Sequence, residues 1–280
     1  MRILAPLVLM VILSATAVLT AEYSEKEIQV SEGVRGRLVT PRSQAVPEKV
    51  VLLFHGWTGK MDEVGDMYKR MAHQLGNLGI ASLRIDFRGE GERNGHRLTS
   101  TFATRIEDAE ASLKKVQSLM PDAQVGVVGF SLGGATALAL TGRNPSEITT
   151  LVLWSSSGNL AVDFFGDPSR AQSQRDTIER GETKIMDWAE MTLTREHLMG
   201  FIGYDLLGPV KEYEGALFAI RGSDDFLARY EDQFLEAASG WREEYLIIGG
   251  ADHVFHTFNP ESDHDERVIA ATIKWIEETL

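Results

Sequence analysis

The chain contains no cysteine. That absence excludes disulfide staples, a thiol nucleophile, thiolate metal sites and a lipidated N-terminal cysteine, so the fold must stand on its packed core. Cations are also scarce: 28 Lys and Arg against 41 Asp and Glu leave a net charge of −13. Such a surface repels phosphate backbones and anionic bilayers, and nucleic acid is not an expected partner. No internal repeat or low-complexity tract occurs, and no H-E-x-x-H pattern suggests a metal. The three histidines His253, His256 and His264 cluster in sequence, but without cysteine they point to no metal site, and nothing implies a cofactor.

What is present is enough apolar residue to bury a full core, either as one domain with a large insertion or as two domains. Residues 1–21 carry one arginine, then an uncharged run from Ile3 to Ala21, then abruptly charged sequence. This pattern is that of a signal peptide with small-residue cleavage points after Ala17 or Ala21, or of an uncleaved membrane anchor. Either reading places the rest of the chain outside the cytoplasm, in a periplasmic or extracellular setting.

Past the leader, residues 27–41 alternate loosely and read as edge strands or a hairpin. Apolar runs follow at 50–54, 81–87, 125–130 and 150–156, separated by helix-period stretches at 61–78, 104–119 and 132–143. Strand alternating with helix implies a parallel sheet covered on both faces. The alternation pauses at 158–212 and resumes with a strand from Ala216, a helix near 229–238, a strand from Glu244 and a closing helix at 264–279. A structureless loop of that length would be unusual, so the pause is expected to be a small helical cap, with 22–157 and 213–280 forming the core. Met186, Trp188, Met191, Met199, Phe201 and Tyr204 within it are expected to pack a helix on the body or to line a pocket.

One stretch, VGVVGFSLGGATALAL at 126–141, holds a serine where a buried strand gives way to a small-residue helix. A sharp strand-to-helix turn strains its central residue and crowds the positions two before and two after, which calls for Gly129 and Gly133 around Ser131. The turn would expose the hydroxyl and aim the first helical amides, including that of Leu132, at the space before it. G-x-S-x-G alone arises by chance; the strand before it and the helix after it single this one out. A serine nucleophile needs a base, and the base an acid to orient it. Past the ends of the last two strands lie Asp224 and Asp225, then His253 and His256, at the edge where open parallel sheets hold their ligands. Asp163, after the strand ending near Ser156, is an alternative acid.

These motifs resemble those of the α/β-hydrolase superfamily over nearly the whole mature chain. The resemblance implies Ser131 as nucleophile, favours Asp225 over Asp224 from the G-S-D-D stretch, and favours His253 from G-A-D-H. It further implies that His55 and Gly56 belong to the family's HG loop, that His55 is structural, and that the Trp57 amide joins that of Leu132 as oxyanion donors. HGWTG, RIDFRGEGERNG, the insertion after the sixth strand and GADHVF are together similar to the cinnamoyl/feruloyl esterase, monoacylglycerol-lipase-like and serine-aminopeptidase-like branch. That branch implies a serine hydrolase acting on a small-molecule carboxylic ester of moderate size, with a peptidase or amidase as the alternative and a noncatalytic binding protein as a third reading. Asp187, Glu190 and Glu196 would serve an aminopeptidase by binding a substrate ammonium. Relatives commonly carry histidine and serine where this chain has Glu90 and Glu92, a change expected to alter loop packing and rim charge. Arg84, Asp86 and Arg88 share a strand face and are expected to form a charge network that fixes this loop.

Overall fold

A computed structural model describes residues 22–90, 96–186 and 189–280. Residues 1–21, expected to be a signal peptide or anchor, and Glu92, Asp187 and Trp188 therefore lie outside the described residues. The chain opens with a hairpin, β1 (Tyr23–Ser31) against β2 (Val34–Pro41), followed by β3 (Lys49–Phe54), α1 (Met67–Asn77) and β4 (Ala81–Asp86). Next come β5 (Arg97–Leu98), α2 (Phe102–Leu119), β6 (Gln124–Phe130), α3 (Leu132–Arg143) and β7 (Thr150–Trp154). After the insertion the core resumes with β10 (Ala216–Gly222), α7 (Glu231–Ala237), β11 (Glu243–Ile248) and α8 (His264–Thr279).

Eight strands form one sheet in the order β1-β2-β4-β3-β6-β7-β10-β11, antiparallel through β2 and parallel from β4 onward. β3 illustrates why its sequence is a continuous apolar run. Val50, Leu52 and Phe54 face the core shared with α2 and α3, whereas Val51 and Leu53 face the core shared with α1 and α8. Both faces are covered, so neither set of alternate residues meets water. The architecture is the α/β-hydrolase fold, with its strand C-termini gathered along one edge.

The insertion is not the purely helical unit that its composition suggests. It contains α4 (Leu160–Phe165), a short 3₁₀ turn at Pro168–Arg170, α5 (Ala171–Arg180), then β8 (Glu182–Met186), β9 (Glu190–Thr194) and α6 (Arg195–Met199). β8 and β9 pair antiparallel, and β9 continues onto β5 to make a second, three-stranded sheet. The reason is a local period of two: Met191 and Leu193 point inward onto Leu98 and Leu198, while Glu190 stays in water. Composition favoured a helix, but alternation decided in favour of a strand.

Arg84, Asp86 and Arg88 do not form a network with one another. Arg84 donates to Glu25 and Asp62, at 2.6 Å each; Asp86 pairs with Arg35 and accepts from the Met61 amide; Arg88 pairs with Asp108 and Glu107. Each ties β4 and its end to different neighbours, because the oppositely charged partners come from β1, β2, the loop between β3 and α1, and α2.

Candidate active site

The turn after β6 holds Ser131 at φ 54° and ψ −118°, a strained setting for a residue with a side chain. Space explains the flanking glycines. A Cβ on Gly129 would lie 2.3 Å from the Gly133 carbonyl oxygen, and one on Gly133 would lie 1.9 Å from the Phe54 carbonyl oxygen. The turn is therefore closed against the end of β3, and only hydrogen fits at either position. The amide of Ser131 donates to the Trp154 carbonyl at 2.8 Å, which anchors the turn to β7.

Above the same edge, the loop after β11 brings His253 to Ser131, with Nε2 3.0 Å from Oγ. The ring's Nδ1 lies 2.8 Å from Asp225 Oδ1, in the loop after β10. This pattern assigns the proton to Nδ1, leaving Nε2 to accept from the serine hydroxyl. Burial alone would raise the Asp225 carboxyl, but bonds from His253 and the Leu227 amide outweigh it and hold it below the ordinary value. Arg221 in turn grips the acid loop, donating to the carbonyls of Asp225, Leu227 and Ala228.

The other candidates point elsewhere. Asp224 accepts from Ser223, and Asp163 accepts from Ser157 and from Tyr230 at 3.0 Å, with no bond to His253. Burial raises the Asp163 carboxyl above its ordinary value. His256 turns to His264, ring nitrogen to ring nitrogen at 3.2 Å.

The loop after β3 passes beside the serine; a Cβ on Gly56 would lie 3.3 Å from Ser131 Cβ. Trp57 follows Gly56 in this loop, and the Leu132 amide opens α3 and so has no helical acceptor. His55 is buried beneath: Nδ1–H donates to the Gly56 carbonyl at 2.8 Å and Nε2 accepts from the Phe87 amide at 3.2 Å. Burial lowers its pKa to about 4, so the ring is neutral and serves the loop.

Glu90 is not on the rim. It is buried with Arg105, at 2.5 Å and with neither side chain exposed. Its other oxygen accepts from the Thr58 amide at 3.2 Å, and Arg105 also donates to the His55 carbonyl at 2.5 Å. Burial opposes its ionisation, but Arg105 beside it brings the Glu90 carboxyl down to about 2. The substitution at this position thus places an ion pair under the loop, a role read as rim charge only because its partner lies fifteen residues away. The RGEGE motif was the one sequence signal that could have led to it.

A cavity of about 400 Å³ opens within the insertion, with Trp57 of the loop after β3 in its wall; Ser131 and His253 are not among its lining residues. Trp57, Phe164, Phe201 and Leu193 supply an apolar wall, and Arg170 and Lys184 also line it. Phe226, 71% exposed, lies tilted against the His253 ring with centroids 4.4 Å apart. Neither Phe226 nor Arg170 stood out in the sequence. Of the insertion's sulfur and aromatic residues, Met186 and Phe201 line the cavity, whereas Met191 packs the small sheet and Tyr204 packs edge-on against Phe102.

Residues 45–189 match the family model described as serine aminopeptidase S33, just over half of the chain. The chain belongs to this hydrolase family. It is 23% identical over 246 residues to monoglyceride lipase of Mus musculus, covering 79% of this chain and 80% of that one. The human monoglyceride lipase is 24% identical over 241 residues, covering 77% and 78% respectively. Among solved structures, the ferulic acid complex of Est1E from Butyrivibrio proteoclasticus superposes with a TM-score of 0.68 at 19% identity, covering 91% of this chain and 98% of that one. A Pyrococcus furiosus esterase gives 0.65 at 20% identity, covering 92% and 91%.

Proposed function

We propose that this hydrolase is serine-dependent and cleaves carboxylic esters of moderate size through an acyl-enzyme. The observation that carries the reading is the unbroken line of hydrogen bonds from Ser131 Oγ through His253 to Asp225. In this mechanism His253 Nε2 takes the hydroxyl proton as Oγ attacks the carbonyl carbon. The oxyanion forms against the amides of Trp57 and Leu132, and Asp225 holds the ring and stabilises the imidazolium. Collapse breaks the ester C–O bond, Nε2–H protonates the departing alkoxide, and water, deprotonated by His253, releases the acid.

Ester chemistry is supported by the monoglyceride lipase relatives and by the cavity itself. An aminopeptidase must bind an ammonium group, which requires a carboxylate in the pocket. Among the described residues the cavity is lined by two cations, Arg170 and Lys184, while Glu196 is exposed and Glu190 pairs with Lys184 at 2.5 Å; Asp187 lies outside the described residues. Its size and aromatic wall suit an apolar or aromatic group.

The test is hydrolysis of an ester series of rising acyl length together with hydroxycinnamate esters, compared with matched aminoacyl amides. Ester turnover abolished by Ser131→Ala is expected; Asp225→Asn should lose about 10⁴-fold by analogy with other triads, and Asp163→Asn should lose little. Strong preference for the amides, or full activity in Asp225→Asn, refutes the assignment.

A further inference from the structure

Trp57 belongs to two sites at once. It directly follows Gly56, where a Cβ would lie 3.3 Å from Ser131 Cβ, and it is part of the cavity wall. The indole is also tethered, since Nε1–H donates at 2.8 Å to Nε2 of His197, a buried residue of α6 in the insertion. The other nitrogen of His197, Nδ1, lies 2.6 Å from the Ser100 carbonyl and donates to it, which leaves Nε2 as the acceptor. Ser100 Oγ donates to Glu90 at 2.7 Å. Glu90 accepts from the Thr58 amide, and its partner Arg105 holds the His55 carbonyl.

The backbone on either side of Trp57 and the tip of its side chain therefore run into one buried network. Thr58 sits at φ 62°, a conformation that relaxes unless it is held. The ring's face is packed too. Phe164 meets Trp57 edge-on at 5.5 Å, Phe201 stacks on Phe164 at 4.0 Å, and Phe201 meets His197 edge-on at 4.9 Å. A group entering the cavity presses on a ring that cannot swing away.

We propose that His197 is a positioning residue for the oxyanion hole: through the Trp57 indole it fixes the relation between a group seated in the cavity and the Trp57 amide proposed as an oxyanion donor. Filling the cavity then raises the rate at the bound state, because occupancy and oxyanion alignment are set by the same residue. A tether serving packing alone would change affinity and stability and leave this dependence intact. The inference rests on the proposed acyl transfer at Ser131, and the test separates the two.

The readout is the rate of Ser131 phosphonylation by two p-nitrophenyl phosphonates, one bearing methyl and one bearing phenylethyl, with kcat and KM for the matching acetate and phenylpropionate esters. In the native protein the larger group should react faster. His197→Phe keeps the volume but accepts no hydrogen bond, and the phenylethyl-to-methyl ratio should fall roughly tenfold, the worth of one buried hydrogen bond. The loss should lie in kcat more than in KM. His197→Gln, whose Oε1 can accept from the indole, should recover most of the ratio, and Trp57→Phe, which keeps a ring but loses the donor, should match His197→Phe.

A ratio within twofold of native in His197→Phe and in Trp57→Phe, whatever the change in melting temperature, overturns the proposal. Equal loss in His197→Phe and His197→Gln does so as well. A native protein phosphonylated at Ser131 but inert to every ester overturns the ester assignment alone, and the phosphonylation ratio still reads the tether. No phosphonylation of native protein overturns both.

Discussion

Replacing Glu90 by glutamine tests the ion pair beneath the loop that carries Trp57. Glu90 and Arg105 meet at 2.5 Å with both side chains fully buried. Without the carboxylate, the guanidinium keeps only neutral partners, the His55 carbonyl and Thr136 Oγ1. Stranding one charge of a buried pair costs about 3–5 kcal/mol. The glutamine oxygen can still accept one of the three bonds made by Arg105, Ser100 and Thr58, so the loss should fall near 3 kcal/mol. For a fold of this size that lowers the melting temperature by roughly 6–12 °C, at about 2–4 °C per kcal/mol. Urea unfolding followed by tryptophan fluorescence measures it directly. A double variant, Glu90→Met with Arg105→Met, fills the space with apolar atoms and should regain most of the stability. It should not regain activity, because the Thr58 amide and the His55 carbonyl lose their partners and the Trp57 amide drifts. We expect kcat to stay about 10–100-fold low, somewhat less than the loss on deleting an oxyanion donor outright. A loss below 1 kcal/mol in Glu90→Gln, or a fully active double variant, refutes the reasoning.

The pH dependence of stability should change in His197→Phe. Burial lowers the His197 pKa from 6.5 to about 4 even though Glu90 pulls the other way, so the folded protein keeps the ring neutral while the unfolded chain protonates it. The native protein's stability relative to the variant should be constant above pH 6.5. It should fall as the pH drops from 6.5 through 4, by up to about 3 kcal/mol, and a flat difference between denaturation curves at pH 7 and pH 4.5 contradicts this. Gly133→Ala should cost more than 3 kcal/mol or prevent folding, since its Cβ would sit 1.9 Å from a backbone oxygen that closes β3 against the serine turn. An alanine variant with native melting temperature and activity would show that the turn can open.

Much of the molecule was legible before any coordinates. Apolar runs on β3, β6, β7 and β10 read as strands covered on both faces, because their interiors are apolar on successive residues, whereas β4 alternates Ser82, Arg84 and Asp86 with Ala81, Leu83 and Ile85. Ser131, flanked by glycines at a strand–helix seam, is a local feature of chain sterics, and local features are written in consecutive residues. The loops bearing Asp225 and His253 were recognisable by their place past the ends of the last two strands and by their resemblance to the family's acid and base motifs. The inserted segment was less legible, since Glu190–Thr194 carries helix-compatible residues and becomes a strand only when Leu98 and Leu198 offer it a face.

Sequence alone thus determined the sheet, the strained serine turn and the short list of acids and bases, because each rests on propensity and sterics within a few residues. Tertiary structure decided which acid meets His253 and why Asp163 does not: distance and hydrogen-bond direction between loops 28 to 122 residues apart have no local signature. It also decided that Glu90 is buried on Arg105 rather than exposed, and that Trp57 is tied to His197, 140 residues away. The first contact joins the loop after β4 to α2 and the second joins core to insertion; in both, low dielectric and excluded water make each unpaired polar group costly and so select the partner that satisfies it.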